Sequence, residues 1–162
     1  MPSFPLSVGQ WYIGSANQAR ALSVMGTQTP AMPFRRWVFD QTTEQRIYTD
    51  FLMPADYVSG GTFLIAWYSA GTTNAVRWGV RIMAVPTTTT FLARAWATSV
   101  EANYTNDATA NDLTISSLDV SAQMDSAAAG SLIHVQLSRV AADGGDTYAG
   151  DAFFRGARFA YV

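Results

Sequence analysis

Residues 35–85 read RRWVFDQTTEQRIYTDFLMPADYVSGGTFLIAWYSAGTTNAVRWGVRIMAV. Three runs in this stretch alternate apolar and polar side chains, and short turn segments separate them. In the last run Val76, Trp78, Val80 and Ile82 share one face, while Arg77, Gly79 and Arg81 share the other. A period of two is the mark of a β-strand with one face buried. The connecting segments are Asp40-Gln-Thr-Thr, Ser59-Gly-Gly and Ala70-Gly-Thr-Thr-Asn, all turn-forming. Closely spaced half-buried strands joined by such turns predict a β-sandwich or barrel.

Working outward, the same reading predicts strands at 36–39, 45–53, 62–68 and 75–85, and further ones at 91–100, 113–120, 131–140 and 152–162. Pro54 ends the second. Gly60-Gly61 permits a positive φ before the third. The stretch 91–100 is ambiguous, because Ala-Arg-Ala-Trp-Ala also suits a helix; its β-branched flanks favour a strand followed by a loop. One helical turn fits 122–130. About eight mostly antiparallel strands with uneven loops predict an all-β fold: a single antiparallel β-sandwich of jelly-roll type spanning residues 34–162.

Residues 1–33 differ from the rest. Pro2, Pro5, Pro30 and Pro33 lie here, so the segment cannot be one helix or a central strand. It also carries Phe4, Leu6, Val8, Trp11, Tyr12, Ile13 and Leu22, too many apolar groups to leave in water. It is read as an extended N-terminal arm, with a helical turn possible around Ala16–Leu22. Two placements remain open. The arm folds back over its own sandwich, or it reaches a neighbouring subunit with Phe4, Trp11, Tyr12 and Arg20 as the partner contacts.

Composition bounds the chemistry. At 162 residues the chain is one domain by length. Charged residues are 14% of it, against about 25% in an average soluble domain, and aromatics are 13%. Low charge and many aromatics match interface composition, and equally a Thr/Ser/Ala-rich β-protein with a neutral surface. Every basic residue is arginine, a bias that genome composition explains more simply than interface enrichment. Net charge is −2 with no basic block, so no nucleic-acid groove or membrane anchor is read. The opening segment has no charged stretch leading into an apolar run, so no secretory leader is read either.

Absent cysteine excludes thiolate metal sites and cysteine nucleophiles, and no cofactor is expected. His134 is the single histidine; it alternates away from Ile133, Val135 and Leu137, which reads as a surface or hydrogen-bonded position. No Gly-x-Ser-x-Gly elbow accompanies it. Asp143, Asp146 and Asp151 share a loop but do not follow the calcium-loop spacing. Glu44 and Glu101 are the only glutamates, and no carboxylate pair stands out. No catalytic or metal-binding residue is assigned, and no enzyme is expected. Among the tryptophans Trp37, Trp67, Trp78 and Trp96 could stack on sugars, but Trp67 and Trp78 fall on the core side of the alternation. Trp11 is the one expected to face a partner.

The string from Trp37-Val-Phe-Asp40 through Met53-Pro-Ala-Asp-Tyr57, Gly60-Gly61 and Trp67 to Val76-Arg-Trp78 resembles small structural proteins of tailed bacteriophages. So does the ending Asp146-Thr-Tyr-Ala-Gly-Asp-Ala-Phe-Phe-Arg-Gly-Ala-Arg-Phe-Ala-Tyr161. The resemblance implies a virion component of the jelly-roll capsid decoration, or cement, type. Such a protein is made in the host cytoplasm and sits on the outer capsid surface as a homotrimer clamping the major capsid protein. The alternative is a carbohydrate- or receptor-binding module of a tail or head fibre, which requires aromatic side chains exposed on loops or on a sheet face.

Overall fold

A computed structural model describes the whole chain except residues 28–30, 89, 91, 93 and 142, with the side chain of Met25 also left aside. Its strands are β1 (Ser3–Ser7), β2 (Arg20–Met25), β3 (Pro33–Phe39), β4 (Gln45–Leu52), β5 (Thr62–Ser69), β6 (Ala75–Val85), β7 (Val100–Thr105), β8 (Thr114–Asp119), β9 (Leu132–Arg139) and β10 (Ala152–Ala160). They form two sheets. One has the order β2-β3-β10-β5-β8, with β1 also paired to β10; the other is β4-β9-β6-β7. Every strand pairing is antiparallel. The chain is therefore the expected all-β antiparallel sandwich, with ten described strands rather than eight.

The period-two runs place their apolar sides between the sheets. Phe39, Phe63, Ile65, Trp67, Phe154 and Phe159 of the larger sheet meet Ile47, Trp78, Val80, Ile82, Ile133, Val135 and Leu137 of the smaller. Trp67 and Trp78 are fully buried and meet edge-to-face at 5.8 Å between centroids, while Phe39 packs against Trp78 at 5.0 Å. The Trp67 indole N–H is satisfied by Ser116 Oγ at 2.8 Å. Truncating either tryptophan would cost about 3–5 kcal/mol through lost contact and the cavity left behind. Gly60 has φ +73°, the left-handed turn its position required.

Residues 1–33 do not stand apart as an arm. β1 pairs with Gly156–Ala160, and β2 pairs with β3 from Arg20 opposite Val38 to Met25 opposite Pro33. The physical cause lies in β10. Its first residues, Ala152–Phe154, pair with β3, but the rest of that edge would be open without β1. β1 tolerates Pro5 because it is an edge strand with one partner. Leu6 and Trp11 close over the core, at 1% and 4% exposure. β1 and β2, both before the boundary expected at residue 33, thus pair with the later strands β10 and β3. Ala16–Leu22 forms no helical turn; it leads through an isolated bridge, Gln18 to Arg46, into β2.

The strand expected over 91–100 lies partly outside the described residues. Residues 94–99 are loop, and the strand comes later, at Val100–Thr105. There Val100, Ala102 and Tyr104 alternate with Glu101, Asn103 and Thr105, a weak period-two signal carried by small side chains. Pairing with β6, from Val80 opposite Val100 to Ala75 opposite Thr105, fixes it. The helical turn expected at 122–130 is a short 3-10 turn at Ser121–Gln123.

Candidate functional site

The outer face of the four-stranded sheet gathers the polar halves of β4, β9, β6 and β7. Register places Tyr48, Gln136 and Arg81 in one cross-strand row, and Asp50, His134 and Met83 in the next. A third row runs Arg46, Ser138, Gly79, Glu101. Gly79 keeps that row low: a Cβ there would meet Ser138 Oγ at 2.9 Å.

Two loops bring aromatic rings onto this face. Tyr12 forms a two-bond antiparallel bridge with Tyr48, at 2.9 and 2.8 Å, on the open edge of β4. Their rings stack with centroids 6.0 Å apart and planes at 26°. Gly14 allows the loop to cross closely, because a Cβ there would sit 2.8 Å from the Tyr48 ring. The second loop, residues 94–99, carries Trp96 to within 6.1 Å of the Tyr48 ring. Its backbone is pinned by Ala97 N–H to the Ile82 carbonyl at 2.8 Å. At its start Arg94 pairs with Asp125 at 2.6 Å, and Asp125 also accepts the Ala84 N–H.

Polar contacts order the row beneath. Tyr12 O–H donates to Asp50 Oδ2 at 2.9 Å, Asp50 Oδ1 is hydrogen-bonded to His134 Nδ1, and Gln136 Nε2 donates to Tyr48 Oη at 3.2 Å. Burial and the neighbouring Asp50 carboxylate push the Tyr12 phenol up to about 12, so it stays a protonated donor at neutral pH. Beside the rings lies a cleft of 630 Å³ lined by Arg77, Arg81, Trp96, Ala97, Thr98, Ser99 and Glu101. Arg77 is committed to Glu101 at 3.2 Å and to Asn103 at 2.9 Å. Tyr12 and Trp96 remain 46% and 36% exposed, which makes them available to a ligand.

The arrangement offers flat apolar rings bordered by fixed donors and acceptors. Two of its carboxylates are held by arginine: Glu101 and Asp143 both lie against Arg77 Nε, at 3.2 and 3.5 Å. Asp50 and Glu101 lie on opposite edge strands, three strand spacings apart across the sheet and, from the level of Met83 to that of Gly79, four residues apart along it, so about 20 Å separates them, beyond the ~5–9.5 Å of a glycosidase pair.

Of the four residues expected to contact a partner, Tyr12 alone belongs to this face. Phe4 is half-buried against Phe51, 4.9 Å between centroids, and near Phe159. Trp11 does not face outward; it packs edge-on to Phe154 at 5.1 Å. Arg20 is exposed beside a small cleft with Asp40 and Asp151. Asp146 of the loop aspartates is used internally, as a two-bond partner of buried Arg139. Among the described residues no cluster of side chains could hold a metal ion. The sequence reading overlooked Tyr48, Asp50, Gln136 and Arg81 as site residues, although their outward parity was legible. It raised Trp96 as a sugar-stacking candidate but could not place it.

No protein-family model matches the chain, and no curated protein matches it. Solved structures match it in fold. The Clostridium thermocellum N-terminal endo-1,4-beta-D-xylanase 10B, CBM22-1 and GH10 modules complexed with xylohexaose, aligns with a TM-score of 0.57 and 9% identity, over 98% of this chain and 28% of that one. This chain therefore spans under a third of that enzyme. A non-crystalline cellulose specific carbohydrate-binding module, CBM28, aligns with a TM-score of 0.56 and 10% identity, over 94% and 89% of the two chains. The family 11 carbohydrate-binding module of Clostridium thermocellum, in complex with a beta-1,3-1,4-mixed-linked tetrasaccharide, gives 0.51 and 10%, over 99% and 96%. The class defined is an all-β, two-sheet antiparallel sandwich, the fold these modules share.

Proposed function

We propose that the domain is a non-catalytic carbohydrate-binding module that takes a glycan across the outer face of its four-stranded sheet. The observation that carries this is the exposed pair Tyr12 and Trp96 flanking Tyr48, beside Gln136 and Arg81 of its own row and Asp50 and His134 of the next. A pyranose ring has an apolar C–H face that stacks on such rings, and a rim of hydroxyls that needs paired donors and acceptors. Few, fixed polar groups beside aromatic surface are what a ligand site of this kind requires. The fold neighbours solved with oligosaccharides support the reading at the level of architecture.

The resemblance to phage virion proteins supplies a setting, a fibre-borne module reading host-surface glycans. The capsid-clamping role expected from that resemblance gains no support from the comparisons. The segment that would carry it is bonded into its own sandwich.

The test is tryptophan fluorescence and calorimetry against a broad oligosaccharide panel. At least one glycan should quench Trp96, and W96A should weaken its binding at least tenfold while the melting temperature stays within a few degrees. Absence of binding across the panel, or full affinity in W96A, would overturn the reading.

A further inference from the structure

A second cleft lies on the opposite side of the molecule, across the outer face of the six-stranded sheet. It has a volume of 600 Å³, and Phe34, Arg36, Tyr68, Asn111, Leu113 and Arg155 line most of it. Phe153 sits opposite Val38 and Phe154 opposite Trp37, so Arg155 follows at the β10 bulge beside Arg36 on β3. Like charges on adjacent strands repel. Aromatic rings hold both guanidinium groups: Arg36 lies 3.9 Å from the Phe153 centroid, and Arg155 lies 4.3 Å from that of Phe34. Arg36 Nη1 donates to Tyr68 Oη at 2.6 Å, and Arg155 Nη1 donates to the Arg35 carbonyl.

The rings explain why the arginines lie flat. They do not explain why neither has a carboxylate. Among the described residues neither forms an ion pair, and no Asp or Glu lines the cleft. Acidic residues are not scarce, since the chain has 12 against 10 basic ones. Arg36 Nη2 and the Nε and Nη2 of Arg155 have no acceptor within the described chain. Two stacked, oriented guanidinium forks without a counter-ion form a prepared anion site. The cleft is much larger than a bare anion, and exposed Leu113 and the Phe34 ring give it an apolar wall.

We propose that this cleft binds a ring-borne carboxylate, a uronic-acid residue of an acidic glycan. The carboxylate sits on Arg36 and Arg155, and the sugar ring lies against Leu113 and Phe34. The site is independent of the one on the four-stranded sheet.

The experiment follows the side-chain Nε–H signals of Arg36 and Arg155 in the full chain by NMR. The probes are tri-galacturonate, tri-mannuronate, neutral galactotriose and inorganic sulfate. A uronate trimer should shift both signals, bind at least tenfold more weakly to R155Q, and weaken as salt rises. R155K, which keeps the charge and loses the fork, should fall between the two. W96A should leave this binding intact, which separates it from the first site. Failure of both uronates to shift the arginines overturns the proposal, as does equal binding by galactotriose. Equal binding by sulfate would mean an adventitious ion only, and overturns it too.

Discussion

Asp146→Asn removes the carboxylate that is hydrogen-bonded to a fully buried arginine. Arg139 and Asp146 side chains are 0% and 1% exposed, and they are joined by two bonds of 2.8 Å. Arg139 also donates to the carbonyls of Phe39, Tyr148 and Gly150. Asparagine keeps the shape but strands the guanidinium charge. Breaking one side of such a pair typically costs about 3–5 kcal/mol. Against a total stability of about 5–15 kcal/mol this is a large fraction. For a domain of this size, about 2–4 °C is lost per kcal/mol, so the melting temperature should fall by about 6–20 °C. A thermal melt followed by circular dichroism, with a urea series at fixed pH, measures it. The double variant R139M/D146L is the discriminating control. Replacing a buried ion pair by apolar groups is often neutral. Here it would also orphan three carbonyls and the Arg77 N–H that Asp146 accepts, each worth about 1–3 kcal/mol if left buried and unmet. The double variant should therefore be no more stable than D146N. A D146N melt within 3 °C of the parent, or a double variant as stable as the parent, would refute the assignment.

Deleting residues 1–33 should abolish cooperative unfolding, because β1, β2, Leu6 and Trp11 leave with them; a truncated chain that melts sharply would show the segment to be dispensable. Tyr12 should titrate near 12 by ring-carbon NMR, with D50N moving it toward 10. Because the folded chain holds that proton more tightly than the unfolded one, Tyr12's contribution to stability is complete below pH 10 and is lost as pH rises through about 12. A Tyr12 midpoint at 10 in the parent would dismiss both the burial and the Asp50 contact that raise it, and an unchanged midpoint in D50N would dismiss the Asp50 contact alone. Gly61→Ala would press a methyl to 2.6 Å from Met124 Sδ and 2.9 Å from the Phe159 ring. The overpacking should cost about 1–3 kcal/mol, read as a lower urea midpoint; an unchanged midpoint would show that Met124 yields freely.

Alternation along 35–85 was enough to place β4, β5 and β6 within a residue or two and to put Trp67 and Trp78 in the core. Val76-Arg-Trp-Gly-Val-Arg-Ile has one reading under period two, and burial followed it. The weaker run Val100–Thr105 alternates as well, but alanine and asparagine give so little contrast that its neighbours obscured it. Local pattern also predicted the Gly60 turn, because a positive φ is a property of the residue itself.

Partners were beyond local pattern. Prolines and apolar groups in 1–33 showed that the segment needed cover. They did not say whose surface would provide it, since that depended on the unpaired half of the β10 edge more than 120 residues away. The candidate site has the same character. Tyr12, Tyr48 and Trp96 come from a loop, a strand and another loop, and only the bridge at Tyr48 and the anchor at Ile82 bring them together. The Arg36–Arg155 cleft needs β3 and β10 side by side. By itself, then, the sequence determined the strongly alternating strands such as β4, β5 and β6, the sides they bury and the absence of cysteine chemistry, because these follow from each residue's own side chain and its nearest neighbours. Tertiary structure alone decided which aromatic rings share a surface and which arginines lack a counter-ion among the described residues, because those depend on the register between distant strands.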